Sequence, residues 1–478
     1  MLHAGDEVME AKESPTKVAW AKTTFVVLFT MNLLDYLDRS VLTSMQPQIR
    51  DEFHINNTQW GLLTTVFLIS YSVVSPIMGW LGDRYRRNRL LGIGVGVWSL
   101  ATLGSGLATD YGHLVWARSF LGIGEATYGV IAPTILLDLF SKNSRSRLMS
   151  TFYLAMPIGT AMGMKVGAYM ATTHHWHQAF YVVGLPSLFA AIFAFFLPEP
   201  VRGASEGIAE DRLKAHEKAG ATKEDYIDLM VNSSYTYSVF GMAMYTFAIG
   251  GLLVWVPIYL FNTRQIEQNR AMTILGLVTL AASVIGMSAG GWLSDKMAKT
   301  KPQALFLVPG IAMFLSIPFV LIALFSTSER VIFGAILAAE TLMFINTGPC
   351  NAIIANVVQP NLRAAAYAIS VFAIHFLGDI WSPALIGRAA DWLGDPLTMA
   401  SSYGKILKSI GAVPTQVSGH PPENIVAALL IVVPALLLSA IVLIAGARHL
   451  PREMALMHAK LRAAPKTSKP DPGLPSEL

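Results

Sequence analysis

The sequence predicts an all-α membrane protein with twelve transmembrane helices in two pseudo-symmetric six-helix bundles. The chain of 478 residues is 53% hydrophobic and only 14% charged, whereas soluble proteins are about 25% charged. Its long apolar runs number about twelve, and each is close to the roughly 20 residues that a helix needs to cross a bilayer. A motif from the first half recurs in the second, which indicates two similar halves.

The apolar runs divide the chain into five segments. A polar N-terminal tail covers residues 1–21, and the first bundle covers 22–197. A cytoplasmic linker at 198–233 leads to the second bundle at 234–448, and a C-terminal tail follows at 449–478. None of the polar segments is long enough for an ordinary catalytic domain. We therefore expect the function to lie within the bundles.

The distribution of basic residues predicts the orientation in the membrane. Short loops rich in Lys and Arg stay preferentially in the cytoplasm, and such clusters follow the second, fourth and eighth apolar runs. Both termini, and thus both tails, are therefore expected to be cytoplasmic. The first 20 residues lack the apolar core of a cleavable secretory signal.

Composition and motifs disfavour several classes of function. A net charge of +4 is too small to suggest a nucleic-acid partner, and the single Cys350 allows neither an intrachain disulfide nor a cysteine zinc cluster. No nucleophile elbow or P-loop is present, so we expect neither an enzyme nor an ATP-driven pump. The histidines at 174, 175 and 177 lack a nearby thiol or acid set. We expect no metal and no cofactor other than a coupling proton.

The recurring motif predicts a transporter with a gate. GWLGDRYRRNR at 79–89 returns as GWLSDKMAKTK at 291–301, with an offset of 212 residues. Repeats of this kind mark transporters in which the substrate lies between two similar halves. The motif resembles the signature loop of the major facilitator superfamily, which implies the major facilitator fold. The alternative is a tight turn in a positive-inside loop. The resemblance assigns gate roles to Gly79, Asp83, Arg84 and Arg87 and, in the weaker copy, to Gly291, Asp295 and Lys296.

Ionisable residues inside the apolar runs are the main candidates for function. Each one costs about 2.5–3.5 kcal/mol unless it faces a cavity or a partner. Asp35, Asp38 and Arg39 in the first run share one helical face. Arg118 and Glu125 in the fourth run are seven residues apart and share a stripe. We therefore predict a charge network between the first and fourth helices.

Such a network suits both a proton and an anion. A carboxylate stays ionised while it is paired with an arginine, and its protonation releases the arginine. We predict that Asp38 or Glu125 carries the coupling proton. Arg39 and Arg118 are predicted to hold a phosphate or carboxylate of the substrate. A purely structural lattice of ion pairs is the alternative.

Four further charged or titratable residues complete the predicted site. His375 and Asp379, four residues apart in the eleventh run, are predicted to share a proton. Glu340 in the tenth run and Lys165 in the fifth are predicted to bind substrate. The alternatives are a merely packed histidine and a lysine that snorkels to the interface.

The fifth run also predicts close approach of another helix, because it has a glycine at every fourth position: Gly159, Gly163 and Gly167.

Several strings resemble one family more specifically. The resemblance is to the Spinster family, and it runs from about residue 22 to 448. The strings that carry it include NLLDYLDRS, GIGEATYGVIAPTILLDLF and HFLGDIWSPALIGRAADW. This resemblance implies export or release of lysophospholipids, sphingosine phosphate or similar single-tailed lipids, with proton coupling in bacterial members. The family's paired charges on helices one, four and eleven match Asp38 and Arg39, Arg118 and Glu125, and His375 and Asp379.

The sequence thus predicts a proton-coupled secondary active transporter of an amphipathic anionic lipid that works by alternating access. The resemblance implies a monomer in a bacterial inner (plasma) membrane. The alternative is a proton-coupled symporter of small organic anions, such as sugar acids, on the same fold. A cavity with a lateral, lipid-facing opening would favour the lipid. A receptor or structural protein without transport is disfavoured by the repeated motif and the buried charges.

Overall fold

The computed structural model describes residues 15–140, 145–200, 223–358 and 362–463. The first bundle contains α1 (Pro15–Thr43), α2 (Gln46–Phe53), α3 (Asn57–Arg84), α4 (Arg87–Gly106), α5 (Tyr111–Leu139), α6 (Arg145–Tyr153), α7 (Ala155–Thr173) and α8 (Trp176–Phe196). Helix α9 (Lys223–Val231) precedes the second bundle.

The second bundle begins with α10 (Ser233–Ile258), which a π-helical turn (Tyr259–Thr263) extends. It continues with α11 (Gln268–Ala298), α12 (Ala304–Phe325), α13 (Glu329–Phe344), α14 (Thr347–Val357), α15 (Arg363–Leu377), α16 (Ser382–Gly394), α17 (Pro396–Ala400), α18 (Ser402–Ser409), α19 (Ile425–Leu429) and α20 (Val432–Gly446). Helix α21 (Leu450–Ala463) follows.

The predicted all-α membrane architecture is confirmed. Nine helical segments among the described residues are long and apolar enough to span a membrane. If helices α1 and α4 and the α6–α7 unit are counted as well, the number of spans is twelve. The structure is therefore compatible with the predicted twelve transmembrane helices. Residues 1–14 of the predicted N-terminal tail, 201–222 of the linker and 464–478 of the C-terminal tail lie outside the described residues.

Helix boundaries differ from the predicted runs in two ways. Helix α1 begins at Pro15 rather than at residue 22, because helical hydrogen bonds can continue beyond an apolar run. The first, fifth, tenth, eleventh and twelfth runs are each broken into two helices. In the eleventh, the break begins at Gly378, where an added Cβ would lie 2.6 Å from the Ala243 carbonyl oxygen. The break thus allows close contact between the eleventh span and α10.

The two ends of the molecule can be named by what they carry. The start of α1 and helix α21 lie at one end, together with the α3–α4 turn, and we call this the terminal end. The opposite end carries α2 and residues 395–424, and we call it the loop end. The distribution of basic residues assigns the terminal end to the cytoplasm, and this orientation remains a prediction.

The two bundles meet along two helix pairs, α3 with α16 and α7 with α11. Gly61 of α3 lies so close to α16 that an added Cβ would be 2.8 Å from the Cα of Ala384. Gly276 of α11 approaches Ala161 of α7 in the same way, at 3.0 Å. The contact of α3 with α15 is much less extensive than that with α16. The bundles are therefore packed together at the loop end and separate along α3 and α15.

The predicted close approach of a helix to the glycines of the fifth run is confirmed. An added Cβ on Gly159, Gly163 or Gly167 would overlap backbone carbonyl oxygens of α1. Helix α7 therefore covers the side of α1 that carries Leu37 and Val41. Because Asp35 and Arg39 lie on the other side of α1, they point away from this contact.

Side-chain caps determine where several spans begin at the loop end. The Asn56 side chain accepts a hydrogen bond from the Gln59 backbone N–H (2.8 Å) at the start of α3. Asp110 accepts one from the His113 N–H (3.0 Å) at the start of α5. Such caps satisfy N–H groups that have no partner within the helix. They fix the start of the helices that carry the candidate site.

Candidate substrate and proton site

Arg39 joins the two helices that the sequence predicts to share a charge network. Its Nε donates to Oε2 of Glu125 at 2.7 Å, and its Nη2 lies 3.3 Å from Oδ2 of Asp35. The side chain of Arg39 is 25% exposed, whereas that of Glu125 is fully buried. The contact between α1 and α5 is thus present, and Asp35 belongs to it.

Asp38 has a separate partner. Its carboxylate is buried and accepts a hydrogen bond from the Thr102 hydroxyl of α4. Its other oxygen, Oδ1, has no hydrogen-bond partner among the described residues. Asp38 therefore retains the capacity to bind a proton or another donor.

Arg118 lies near the network without a direct ion pair in the described part of the chain. It is only 3% exposed, and its Nε has no hydrogen-bond partner there. Its Cζ lies 5.0 Å from the ring centroid of Phe67, and Arg39 Cζ lies 5.1 Å from the same centroid. The Phe67 ring therefore contacts both guanidinium groups. Such cation–π contacts stabilise the positive charges of Arg39 and Arg118.

The network holds more acids than bases. Its three carboxyl groups belong to Asp35, Asp38 and Glu125, and its two guanidinium groups to Arg39 and Arg118. With all five ionised, the network would carry one uncompensated negative charge away from water. Because an unpaired buried charge is strongly unfavourable, the arrangement can accept one proton.

His375 and Asp379 form the predicted pair in the second bundle. Nδ1 of His375 lies 2.9 Å and 3.0 Å from the two carboxylate oxygens of Asp379. His375 lies in the last turn of α15, and Asp379 lies in the break between α15 and α16. Irregular backbone at membrane depth occurs where it is buried in protein or lines a cavity, and broken helices of transporters often border the substrate site.

Tyr71 of α3 connects the two charged groups. Its ring centroid lies 6.1 Å from that of His375, and Arg39 Cζ lies 5.3 Å from the Tyr71 ring centroid. Sequence reasoning missed this residue, together with Tyr36, Phe67 and Thr102. The available signal was the presence of hydroxyl and aromatic groups in otherwise aliphatic runs, which is weak without knowledge of their neighbours.

Glu340 lies apart from the Arg39 network. It is 7% exposed and accepts a hydrogen bond from the Thr279 hydroxyl at 3.2 Å. It borders a cavity of about 30 Å³, which is space for about one water molecule. The structure does not place it in contact with the charged residues of α1 and α5, so its role in substrate binding remains a prediction.

Lys165 is also separate from the network. Its side chain is exposed on α7, one turn beyond Ala161, which meets α11. It makes no ion pair within the described part of the chain. Its predicted contact with substrate is untested.

Arg87 ties helix ends together at the terminal end. Its Nη1 lies 2.6 Å from Oδ2 of Asp138 at the end of α5, and its Nε lies 3.0 Å from Oε1 of Glu199 beyond α8. Nη2 also donates to the carbonyl oxygen of Pro200. These contacts join the start of α4 to the end of α5 and to the first residues of the linker after α8, so Arg87 holds these helix ends in a fixed arrangement.

The two copies of the repeated motif form equivalent cation–π contacts. Arg84 Cζ lies 4.1 Å from the Trp80 ring centroid, and Lys296 Nζ lies 4.8 Å from that of Trp292. In the second copy, Asp295 is exposed and has no ion pair among the described residues. The gate role of the motif remains a prediction. Of the other predicted gate residues, Gly79 borders α5, and a Cβ added on Gly348 would lie 3.7 Å from the Cα of Gly291. The Asp83 side chain lies outside the described residues.

A polar cluster at the loop end was not predicted. Arg50 Nη1 lies 2.5 Å from Oε2 of Glu423, and Asn57 and Asn262 each donate to Glu423 at 2.8 Å. Glu423 follows two prolines in the stretch between the eleventh and twelfth apolar runs. Its partner Arg50 is 373 positions away in the sequence, so no local sequence pattern reveals this contact.

Known proteins share this architecture. The Major Facilitator Superfamily model matches residues 28–383. Protein spinster homolog 1 of Xenopus tropicalis is 34% identical over 77% of this chain and 73% of its own length. Protein spinster of Drosophila melanogaster is 31% identical over 84% of this chain and 67% of its own length.

Solved structures give the same fold. A bacterial homologue of the human lysosomal transporter Spinster, crystallised inward-facing and unoccupied, aligns with a TM-score of 0.77 at 20% identity. The alignment covers 92% of this chain and 99% of that one. A D-xylose-proton symporter aligns with a TM-score of 0.65 at 16% identity, over 89% of this chain and 97% of that one.

Proposed function

We propose that this chain, which belongs to the Spinster family of the major facilitator superfamily, couples protons to the movement of an anionic, single-tailed lipid. Membership of the family makes it a membrane transporter of this type. The nature of the substrate and the coupling ion are our proposal. The observation that carries it is the ion pair between the partly exposed Arg39 and the fully buried Glu125.

The pair links anion binding to proton binding. Arg39 is the guanidinium that an entering phosphate or carboxylate reaches first, because 25% of its side chain is exposed. An anion that takes Arg39 from Glu125 leaves a buried carboxylate without a partner, which is strongly unfavourable unless it binds a proton. The coupling is reciprocal, so a proton on Glu125 also strengthens anion binding at Arg39.

The remaining charged groups extend this scheme. Arg118 is proposed as a second contact for the anion, since the described residues leave its Nε without a partner. Asp38 and the His375–Asp379 pair are proposed as further proton-binding groups. Tyr71 lies between Arg39 and His375. Anion binding at Arg39 in the first bundle can thus affect proton binding at His375 in the second.

The arrangement of the bundles fits alternating access. They are packed at the loop end and separate along α3 and α15. Rocking of one bundle against the other would reverse this pattern and expose the Arg39 site at the loop end. If the terminal end is cytoplasmic, the present conformation is inward-facing.

A small organic anion is the second candidate substrate. The exposed Lys165 side chain on α7 would add a positive charge, which suits a dicarboxylate or sugar acid as well as a phosphate. Such a substrate would use the same arginines and the same proton, without a hydrocarbon tail.

Transport in liposomes tests the proposal. Purified protein is reconstituted under an imposed pH gradient, and movement of sphingosine phosphate or a lysophospholipid is compared with that of short organic anions. We expect pH-driven lipid movement that is lost in Glu125→Gln and retained in Glu52→Gln, a matched change at a partly exposed carboxylate. Movement of small anions alone would establish the second candidate, and full pH-driven transport by Glu125→Gln would overturn the coupling role.

A further inference from the structure

Glu340 of α13 is a buried carboxyl group that the transport scheme above does not use. It is 7% exposed, and its Oε1 accepts a hydrogen bond from the Thr279 hydroxyl of α11 at 3.2 Å. Its Oε2 has no hydrogen-bond partner among the described residues, and no basic side chain there balances its charge. By contrast, Glu329 at the start of the same helix pairs with Arg270 at 3.0 Å.

The elements packed around Glu340 face it with neutral groups. Tyr245 of α10 interacts electrostatically with Glu340 and with the thiol of Cys350 on α14. Tyr259 of the π-helical turn borders the same cavity, and its hydroxyl accepts a hydrogen bond from Arg264 Nε at 2.6 Å. Arg264 thus binds Tyr259 rather than Glu340. Helix α12 contributes only apolar residues to the cavity wall.

A proton is the ligand that fits this position. An isolated ionised carboxylate away from water is strongly unfavourable, and such a group becomes neutral instead. A metal cation fits poorly because it needs several oxygen ligands, whereas the cavity side chains other than Glu340 and Tyr259 are apolar. The proton would lie on Oε2, since Oε1 already accepts from Thr279.

Helix α11 places Thr279 beside the contact between the two bundles. Gly276, one turn earlier on α11, approaches Ala161 of α7 in the first bundle. Further along α11, an added Cβ on Gly286 would overlap the carbonyl oxygen of Thr341 on α13. Helix α11 is therefore packed between α7 and α13. A change in charge at the carboxyl group on α13 acts on the helix that joins the bundles.

We propose that Glu340 is a proton-binding site of the second bundle, separate from the Arg39 network, and that it is a neutral carboxylic acid in the present conformation. The neutral form keeps α11 and α13 packed together, with Thr279 donating to the carbonyl oxygen of the acid. The inference goes beyond the proposed function, which assigns no proton to this helix.

Infrared spectroscopy of full-length protein in nanodiscs at neutral pH provides the test, because a protonated carboxylic acid has a carbonyl band that an ionised carboxylate lacks. Glu340→Gln should remove one such band. The matched change Glu329→Gln, on the same helix at a side chain that is 33% exposed and paired with Arg270, should remove none. Both variants exchange a carboxyl group for an amide of the same shape.

Thr279→Val provides a second measurement that keeps the carboxyl group. Its carbonyl oxygen loses the hydrogen bond from Thr279, so the band should remain and move to higher frequency. Thr273→Val, which removes a hydroxyl bonded only to its own helix backbone, should leave the band in place. If Glu340→Gln does not fold, the shift in Thr279→Val decides, and an unshifted band would contradict the proposal.

Two further results would count against this site. If the spectrum of Glu340→Gln kept every carboxylic acid band of the wild type, Glu340 would be ionised and the proposal would fail. If the band vanished on addition of sphingosine phosphate but not of hexadecyl phosphate, which has no ammonium group, Glu340 would bind the substrate's ammonium instead of a proton. Neither result bears on Glu125, whose coupling role is tested by transport in Glu125→Gln.

Discussion

Arg50 and Glu423 form a buried ion pair that joins the two bundles, with Nη1 and Oε2 separated by 2.5 Å. Their side chains are 3% and 1% exposed. Arg50 belongs to α2 of the first bundle, whereas Glu423 immediately precedes the last span of the second. Any movement that opens the loop end must separate them. The pair therefore favours the conformation in which the loop end is closed.

Removal of the negative charge should weaken this closure. In Glu423→Gln, the closed state would bury Arg50 without its counter-charge, and breaking a buried pair in this way costs about 3–5 kcal/mol. We expect the population to shift toward a state that is open at the loop end. Spin labels at the exposed residues Leu107 and Leu397, on opposite bundles, would report longer distances.

A second contact between the bundles serves as the control. Asp51 accepts from His420 at 2.7 Å, but its side chain is 66% exposed, and exposed pairs contribute little. Asp51→Asn should leave the distances as in the wild type. If Glu423→Gln gave the same distances as Asp51→Asn, the buried pair would have no part in closure.

The geometry at Arg39 predicts that lysine cannot replace it. Arg39 contacts both Glu125 and Asp35 through different nitrogens, whereas lysine provides a single charged nitrogen. Arg39→Lys should therefore lower the affinity for an alkyl phosphate about tenfold, equivalent to roughly 1.4 kcal/mol. Binding of hexadecyl phosphate to protein in nanodiscs measures this. The matched change Arg84→Lys, at an exposed residue over Trp80, should be neutral, and equal affinities in the two variants would argue against the anion site.

Thr102 should stabilise the buried Asp38. Thr102→Val retains the shape of the side chain but removes the hydroxyl that donates to the carboxylate. A buried acceptor left without its donor costs about 1–3 kcal/mol, so the variant should unfold at a lower temperature. Thr273→Val removes a hydroxyl that bonds only its own helix backbone and should have a smaller effect. Equal melting temperatures in the two variants would contradict a special role for the Thr102 contact.

The contact between α1 and α7 should tolerate no side chain at Gly163. An added Cβ there would overlap the carbonyl oxygen of Leu37, and neither backbone can move without displacing the helix that carries Arg39. Gly163→Ala should therefore lower thermal stability and reduce substrate affinity. Gly96→Ala, at a helical position with no atom within 4 Å of the added Cβ, should raise stability slightly, because alanine favours helix. Thermal unfolding of the purified variants distinguishes the two.

Much of the architecture followed from the sequence because its cause is local. Apolar length determines how many segments suit a membrane, and the repeat at 79–89 and 291–301 indicates two related halves. The same applies to Arg39 and Glu125, since a charge within an apolar run requires a partner or a cavity. The glycines of the fifth run likewise predicted a close helix contact, which the structure places on α1.

The partners were decided only by tertiary structure. The sequence placed Arg118 and Glu125 on one stripe, yet Glu125 contacts Arg39 of another helix, and Arg118 has no direct ion pair among the described residues. Helical spacing relates side chains on one helix, whereas pairing between helices depends on their rotation and depth. The Arg50–Glu423 pair and the link through Tyr71 arise in the same way. The sequence by itself determined the membrane spans and the charged residues that need partners, and packing of distant helices decided which partners they meet.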